Sequence, residues 1–274
     1  MKIGIVGLGF VGSAMYQSFK KLINEKIIVY DKFKDGGIGS LENCLKTDIL
    51  FLALPTQYNQ TTGKYNKLAI FETCKYLNDN NYRGSVVIKS TIEPETIEFL
   101  SNKYNNLAII FNPEFLTART AFIDFHNQKH IILGKSKNCR ENNYDLVKKF
   151  YKKYYLDAEI SECSSLEAES VKIFLNCFYA TKVQFFTELH ELCKLNGTDF
   201  NRIRDIMLKN NWINKMHTNI PGPDGQISYG GLCFPKDTQA LLSYMNTKKS
   251  PNKLINAVIS ERNEMRNDND NIMS

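Results

Sequence analysis

The chain has 274 residues and a formal net charge of +6. The excess positive charge is spread thinly along the chain, so it suits an anionic ligand but argues only weakly for nucleic-acid binding. Seven cysteines with irregular spacing and no Cys-x-x-Cys pair predict neither a disulfide framework nor a zinc site, and we expect no bound metal.

The chain begins with a predicted strand over residues 2–6, which leaves no room for a signal peptide. No apolar run is long enough to cross a membrane. Reduced thiols are the simplest interpretation of the cysteines. We therefore expect a cytoplasmic protein in a reducing compartment, without membrane or nucleic-acid partners.

A glycine-rich turn follows this strand, and helical spacing over residues 13–21 follows the turn. The turn is Gly7-Leu8-Gly9-Phe10-Val11-Gly12, a Gly-x-Gly-x-x-Gly pattern. In a dinucleotide-binding turn the first glycine makes the bend, the second lets the pyrophosphate approach, and the third packs helix on strand. We expect Gly7, Gly9, Phe10, Val11 and Gly12 to contact a dinucleotide.

A second predicted strand, residues 26–30, ends at Asp31. This acid lies 19 residues after Gly12, close to the spacing expected of a carboxylate that binds the ribose. An acid there accepts a hydrogen bond from the 2′-hydroxyl and repels a 2′-phosphate, which favours NAD over NADP. Lys34 is placed to reach the same ribose or a phosphate.

Further strands alternate with helices and predict an α/β fold with a doubly wound, mostly parallel sheet. Strands are predicted at 48–54, 85–89, 107–111 and 130–133, and helices at 68–77 and 96–103. Ligands bind beyond the carboxyl ends of such strands, where this sequence has Pro55-Thr56, Ser90-Thr91 and Glu114. Each of these residues, taken singly, is explained by the ordinary preference of such residues for turns. Taken together, they predict a ligand-binding site along the carboxyl ends of the strands. The first domain is predicted to span residues 1–160.

The second half, residues 161–274, is predicted to be a helical domain. A long helix runs from about residue 165 to 195, with Ser165 as a plausible N-cap and Ala168, rather than an acid, at the capping-box position. Lys172 and Asn176 lie four residues apart and share one face. The apolar neighbours favour burial of Lys172 and Asn176, and a buried lysine needs a partner or a functional role. The alternative is a surface pair on a half-exposed helix.

A cysteine motif follows, in the stretch Ser228-Tyr229-Gly230-Gly231-Leu232-Cys233-Phe234-Pro235-Lys236-Asp237. Helices are predicted at 165–195, 200–209, 238–244 and 252–266, with an irregular segment at 210–231. Two glycines allow close approach of a ligand to the backbone, and a thiol is a nucleophile, a metal ligand or core filling. The four histidines are scattered and do not indicate a catalytic histidine.

These motifs together resemble the UDP-glucose/GDP-mannose dehydrogenase family over almost the whole chain. The shared stretches are Gly7 to Gly12, Leu54-Pro55-Thr56, Lys89-Ser90-Thr91, Asn112-Pro113-Glu114-Phe115-Leu116, Glu169-x-x-Lys172-x-x-x-Asn176 and Gly230-Gly231-x-Cys233-Phe234-Pro235-Lys236-Asp237. The last is highly specific, whereas several others occur in wider relatives among the β-hydroxyacid dehydrogenases.

The resemblance implies that the C6 alcohol of a nucleotide sugar, UDP-glucose first among the candidates, is oxidised twice with NAD. Lys172 and Asn176 would hold the C6 oxygen and stabilise the oxyanion. Cys233 would attack the aldehyde to give a thiohemiacetal and then a thioester. Asp237, Glu114 and Thr91 would organise water and protons.

The resemblance also implies binding roles and a homodimer through the helical domain. The implied substrate-binding residues are Glu114, Phe115, Leu116, Thr117, Lys172, Asn176, Tyr229, Gly230 and Cys233. The implied cofactor-binding residues beyond the glycine turn are Asp31, Lys34, Pro55, Thr56, Ser90, Thr91 and Lys236.

The sequence departs from the family pattern at several places. The family is usually longer and has a third, Rossmann-like domain, so this chain is expected to be a short member without it. The stretch between Asp31 and Asp48 is shorter than usual, which predicts the loss of a helix or strand. Ala118 and Thr187 replace the common Glu and Asn. Other nucleotide sugars, a non-catalytic binding protein and a one-step hydroxyacid dehydrogenase are the alternatives.

Overall fold

The computed structural model describes residues 1–266 and divides the chain into two units. The first unit comprises Met1–Gln57 and Tyr65–Lys172, and the second comprises residues 58–64 and those from Ile173 onward. Residues 267–274, the end of the predicted helical domain, lie outside the described residues.

A seven-stranded sheet organises the first unit. The strands in chain order are β1 (Ile3–Val6), β2 (Ile28–Tyr30), β3 (Ile49–Leu52), β4 (Tyr58–Asn59), β5 (Lys64–Tyr65), β6 (Ser85–Ile88), β7 (Ala108–Phe111), β8 (His130–Lys135) and β9 (Glu159–Ser164). The sheet order is β2-β1-β3-β6-β7-β8-β9, while β4 and β5 pair with each other. The sheet strands from β2 to β7 are parallel, β8 is antiparallel to β7, and β9 is parallel to β8.

Ten α-helices accompany the strands within residues 1–266. They are α1 (Phe10–Leu22), α2 (Leu41–Cys44), α3 (Leu68–Asp79), α4 (Thr96–Lys103), α5 (Ala121–His126), α6 (Glu141–Tyr154), α7 (Ser165–Asn196), α8 (Phe200–Leu208), α9 (Phe234–Thr247) and α10 (Lys253–Met265). None of these helices has the length and apolar content needed to span a bilayer.

Alternating side chains of the buried strands face two separate cores in the first unit. Phe51 packs with Phe19 of α1 and Phe150 of α6 on one face, whereas Leu50 and Leu52 belong to the cluster with α3 and α4 on the other. Because both faces are covered, the central strands are apolar throughout rather than alternating. The predicted α/β fold, with its mostly parallel sheet followed by a helical region, is confirmed.

The second unit has its own core, built from helices. Its buried residues come from α7, α8, α10 and the segment between α8 and α9, and they include Val183, Phe186, Phe200, Ile220 and Val258. The later helices therefore have a core of their own.

Several elements differ from the sequence predictions, among them the short elements α2, α5, β4 and β5, which were not predicted. Strand β9 was not predicted, and it carries the sheet to Ser164, beyond the domain end predicted at residue 160. Helix α6 was not predicted either. Helix α9 begins at Phe234, four residues before the predicted start. Residues 32–48 form a 3-10 turn and the one-turn helix α2 but no strand.

The start of α7 also differs in detail. Ser164, rather than Ser165, caps the helix: its hydroxyl accepts from Glu167 N at 3.3 Å, and Glu167 Oε2 accepts from Ser164 N at 2.8 Å. This reciprocal pair is a capping box. The predicted capping residue was wrong by one position, because the acid three residues after Ser164 was overlooked.

Candidate active site

The glycine turn after β1 is shaped by close approaches to the backbone. Gly7 has a φ of +90°, and a Cβ there would lie 2.4 Å from Ala53 O. A Cβ on Gly12 would lie 1.8 Å from Gly7 O, so α1 packs directly on the turn. A Cβ on Gly9 would meet no atom within 4 Å. The space over Gly9 and the N-terminus of α1 is therefore open to an anionic group.

Asp31 is bound into this turn by backbone N–H groups. Its carboxylate accepts from Leu8 N at 2.6 Å and from Phe33 N and Lys34 N, each at 2.9 Å. Burial raises the pKa of Asp31, but these three donors and the Lys34 charge outweigh burial, and the pKa lies below its ordinary value. Asp31 is thus held as an anion beside the glycine turn, as a ribose-binding acid requires.

Lys34 lies across the same turn. Its ammonium donates to Leu8 O at 2.9 Å and to Ser13 Oγ at 3.0 Å. A cavity of about 410 Å³ opens beside it, lined in part by Gly9, Phe10 and Phe122. The open glycine, the anionic Asp31 and this cavity fit a dinucleotide.

The predicted site residues at the carboxyl ends of β3 and β6 differ in how exposed they are. Ser90 Oγ accepts from Leu54 N at 2.8 Å and donates to Leu52 O at 3.4 Å, so it fastens the two strand ends together. Thr56 and Thr91 are partly exposed at the same edge, and Pro55 is exposed. Ser90 therefore shapes the edge, whereas Thr56 and Thr91 remain accessible on it.

A buried lysine that the sequence analysis did not select as a site residue underlies this edge. Lys89 Nζ lies 3.0 Å from Glu114 Oε2 and donates to Asn112 Oδ1 at 3.0 Å. Burial lowers the pKa of Lys89, and the Glu114 carboxylate opposes that shift. Tyr151 donates to the same Asn112 Oδ1 at 2.5 Å. A lysine at the end of an otherwise apolar strand was the available signal for this network.

The Lys172 side chain of α7 also lies at the carboxyl ends of these strands, within the first unit. Its ammonium donates to Glu114 O at 2.5 Å and lies 4.9 Å from the centre of the Phe115 ring. Lys172 is 7% exposed and Asn176 is 6% exposed, so the alternative of a half-exposed surface pair is excluded. Lys89, Glu114 and Lys172 are thus brought together. The next residues along, 116 and 117, are partly exposed and exposed.

Asn176, Lys236 and Asp237 are brought together in the second unit. Asn176 Nδ2 donates to Asp237 Oδ2 at 2.5 Å, and Lys236 Nζ donates to Asp237 Oδ1 at 2.6 Å. Asp237 is completely buried. The neighbouring Cys177 thiol has its pKa raised by burial and then by the Asp237 charge. Asp237 is therefore a buried carboxylate with a hydrogen-bond donor at each oxygen.

Cys233 is the N-cap of α9, and it is the exposed thiol among seven unpaired cysteines. Asp237 N donates to Cys233 O at 2.9 Å, closing the first turn. Pro235 lies within this first turn, where a helix tolerates proline because the N–H it lacks would have no partner inside the helix. The helix start thus presents the thiol to solvent while Asp237 stays inside.

Tyr229 and Gly230 belong to the loop before Cys233. The Tyr229 side chain is 2% exposed and packs in the core of the second unit. A substrate contact at this residue is consequently limited to the backbone of the loop. No group of three or more His, Cys, Asp or Glu side chains in the described chain is arranged to hold a metal ion.

Comparison with known proteins identifies related sequences over both units. Residues 38–155 match the NAD binding domain of the UDP-glucose/GDP-mannose dehydrogenase family, and residues 166–264 match its central domain. The UDP-glucose 6-dehydrogenase of Campylobacter jejuni is 30% identical over 97% of this chain and 72% of its own length. That of Streptococcus pneumoniae is 26% identical over 98% of this chain and 74% of its own length.

The fold is also found in solved structures. A UDP-glucose dehydrogenase from Pyrobaculum islandicum superposes with a TM-score of 0.82 at 23% identity, covering 96% of this chain and 68% of that one. At this identity the similarity supports the shared fold alone.

Proposed function

Because this chain belongs to the UDP-glucose/GDP-mannose dehydrogenase family, whose NAD binding and central domains it contains, we propose that it is an NAD-dependent nucleotide-sugar 6-dehydrogenase. The proposed substrate is UDP-glucose, oxidised twice at C6 to give UDP-glucuronate. The observation that carries the proposal is the exposed Cys233 thiol, which is the N-cap of α9. In the first turn of this helix, the buried Asp237 accepts a hydrogen bond from Asn176.

NAD, when bound, supplies the hydride acceptor for both oxidations. The glycine turn and the N-terminus of α1 would hold its pyrophosphate, and Asp31 would accept from its adenosine ribose. Lys34, which already bridges Leu8 and Ser13, adds a positive charge beside these phosphates. The strand-end residues would flank the remainder: Pro55, Thr56, Ser90 and Thr91.

The first oxidation converts the C6 alcohol to an aldehyde. In the proposal Lys172 and Asn176 bind the C6 oxygen, and the ammonium stabilises negative charge on it as the hydroxyl proton and the hydride leave. The Lys172 ammonium is already directed to the strand edge by its bond to Glu114 O. Glu114 and Thr91, with Asp237, are the proposed groups for moving protons and holding water.

The second oxidation requires the thiol. Cys233 Sγ forms a bond to the aldehyde carbon, the thiol loses its proton, and the carbonyl oxygen takes up a proton to become the hydroxyl of a thiohemiacetal. Loss of hydride from that carbon and of the hydroxyl proton leaves a thioester. Water then adds to the thioester carbon, the C–S bond breaks, and the carboxylate and the free thiol are released. A one-step hydroxyacid dehydrogenase would have no use for this cysteine.

The proposed enzyme is a homodimer in a reducing compartment, the cytoplasm. Exposed apolar side chains of α7 in the second unit recur at helical spacing, with Phe174, Phe178, Phe185 and Leu192 each more than half exposed. These four residues, the α7 apolar stripe, lie on one helix face. An exposed apolar stripe of this kind favours binding of a second copy of the chain. The reducing compartment is proposed because the catalytic thiol must remain reduced.

The deciding experiment is the stoichiometry of NADH formed with UDP-glucose, and then with UDP-N-acetylhexosamines and GDP-mannose. Two NADH per sugar support the proposal, and one NADH per sugar supports a one-step dehydrogenase. If the protein binds NAD but oxidises none of these sugars, it is a binding protein and the proposal fails.

A further inference from the structure

The loop that leads to Cys233 is held by two buried arginines at the end of α10. Arg266 donates from Nη1 to Ile227 O and Ser228 O, each at 3.2 Å. Arg262 donates from Nε to Tyr229 O at 3.2 Å. The two arginines lie four residues apart, so one face of the helix end meets three consecutive carbonyls of the loop. We call residues 224–230 the arginine-bound loop.

An ion pair closes the other end of this loop. Arg266 Nη2 lies 2.6 Å from Asp224 Oδ2, so one guanidinium joins the start of the loop to its middle. Arg266 is 4% exposed and Arg262 is 1% exposed. A guanidinium remains charged in proteins, and burying it costs free energy unless its hydrogen bonds are satisfied. Here the loop supplies four of those acceptors, and Asn263 Oδ1 accepts from Arg262 Nη1 at 3.1 Å.

Helix α7 fixes the same loop from another side. Ser228 N donates to Thr187 Oγ1 at 3.0 Å, and Ser228 Oγ donates to Gln184 Oε1 at 2.5 Å. Thr187 and Gln184 are both completely buried. Ser228 has a φ of +61°, a conformation that a non-glycine residue adopts only when its surroundings impose it. The loop backbone is thus determined by contacts, not by its own preference.

Because Gly230 has no side chain, the Arg266 guanidinium can pack directly against its Cα. A Cβ on Gly230 would lie 2.4 Å from Arg266 Nη2 and 2.7 Å from its Cζ. The glycine is therefore required by the arginine, and only Gly231 and Leu232 separate it from Cys233. Whatever moves the Arg266 guanidinium also moves the backbone three residues before the thiol.

We propose that Arg266, assisted by Arg262, is a positioning residue that sets the orientation of Cys233 through the arginine-bound loop. This inference rests on the proposed function for its kinetic consequence, because the thiol is needed only for the aldehyde step. Arg266 acts through the backbone of residues 227–230, which includes the implied substrate contacts at Tyr229 and Gly230, so its effect on the thiol is compared between the two steps at saturating UDP-glucose. Misplacing a nucleophile by about 1 Å costs on the order of 10²-fold in rate.

The kinetic test compares Arg266→Gln with wild type and with Arg202→Gln, which replaces an exposed arginine of the same unit. At saturating UDP-glucose, oxidation of the C6 aldehyde should slow on the order of 10²-fold in Arg266→Gln, with less than about tenfold change in the alcohol step. Equal losses in both steps, or none in either, would overturn the proposal. Arg202→Gln should match wild type.

A second readout does not depend on turnover. Hydrogen exchange of the amides in residues 224–231 should be on the order of tenfold faster in Arg266→Gln, and Cys233 should react faster with iodoacetamide, while the buried Cys74 stays protected. Unchanged exchange and alkylation in a folded variant refute the inference. If wild type oxidises no nucleotide sugar, the proposed function fails and this readout still decides the role of Arg266.

Gly230→Ala provides the same test from the opposite side, and it also serves if Arg266→Gln does not fold. The added methyl should displace the Arg266 guanidinium and loosen its bonds to the loop without removing the arginine. The aldehyde step, the exchange of residues 224–231 and the alkylation of Cys233 should change in the same direction as in Arg266→Gln. A folded Gly230→Ala protein that matches wild type in all three contradicts the proposal.

Discussion

Asn176 donates its side-chain amide to Asp237 Oδ2 at 2.5 Å, and the carboxylate that receives this bond is completely buried. The hydrogen bond joins α7 to the first turn of α9, whose N-cap is Cys233. The residue that we propose to bind the C6 oxygen is therefore oriented by the acid that follows the nucleophile.

Replacing Asn176 tests this arrangement. Asn176→Ala should lower the free energy of unfolding by about 2 kcal/mol, because it removes a donor from a buried carboxylate. Asn176→Asp should lower it further at neutral pH, since two carboxylates would then face each other. Chemical denaturation of both variants measures the difference. An Asp variant as stable as wild type at neutral pH would show that the hydrogen bond does not fix Asp237.

Replacing the thiol tests the proposed chemistry. Cys233→Ser should reduce complete oxidation of UDP-glucose on the order of 10³-fold or more, because a hydroxyl is a far weaker nucleophile than a thiolate. NAD binding, measured by calorimetry, should be unchanged. Cys163→Ser, at a thiol on β9 in the first unit, is the control and should retain wild-type turnover. Normal turnover in Cys233→Ser is incompatible with the covalent mechanism.

Cofactor preference should depend on Asp31. Asp31→Asn removes the negative charge that opposes a 2′-phosphate, so the preference for NAD over NADP should fall about tenfold. The amide oxygen can still accept from Leu8 N, whereas the bonds from Phe33 N and Lys34 N to the other oxygen are lost. Asp35→Asn, an exposed acid in the following turn, should leave the ratio of kcat/KM values unchanged. If both variants keep the wild-type ratio, Asp31 does not distinguish NAD from NADP at the ribose.

Stability should depend on pH through Glu169, which is completely buried beneath α4 and accepts from Glu95 N and Ile97 N at 2.8 Å. Burial raises its pKa from an ordinary 4.5 to about 8. The folded chain therefore keeps a proton that the unfolded chain releases, and stability from this group is full below pH 4.5 and is lost as pH rises to about 8.

The variant Glu169→Gln removes this titration. Its stability relative to wild type should rise with pH by up to about 1.4 kcal/mol per unit within that window. Urea unfolding at about pH 5, 6.5 and 8 measures the trend, and the other carboxylates, present in both proteins, cancel. A difference that stays constant across the three values would mean that Glu169 is ionised in the folded chain.

Self-association should depend on the α7 apolar stripe. Phe178 is 59% exposed, and Phe178→Glu would place a charge in the proposed dimer interface. We expect this variant to sediment as a monomer at concentrations where wild type is a dimer. Leu156→Glu is the control, since Leu156 is 83% exposed in the first unit and lies outside the stripe. A monomeric wild type would remove the basis for the dimer.

The sequence was informative where local rules agree with tertiary packing. The glycine turn, the strand before it and α4, whose predicted bounds are those observed, follow from short-range patterns. The long helix through Lys172 and Asn176 was predicted because its apolar residues continue for many turns. Burial of those two side chains also followed from their apolar neighbours.

Other features depend on contacts that spacing does not reveal. Strand β9, with the sequence Glu-Ile-Ser-Glu-Cys-Ser, is polar because it pairs with β8 at the sheet edge. Helix α9 begins four residues before its predicted start, and Pro235 lies in its first turn, where proline is tolerated. Lys89 and Arg266 are ordinary cations in sequence, and only their partners, Glu114 and Asp224, explain their burial.

The reversed direction of β8 has a consequence for how this protein can vary. Because β8 is antiparallel to β7 and β9 follows β8, α7 starts at the edge of the sheet opposite the glycine turn. Its first two turns must run back along the sheet before Lys172 can reach Glu114. One inserted or deleted residue there would rotate Lys172 by about 100°. Between Ser165 and Lys172, homologous chains should therefore differ by substitution and never in length.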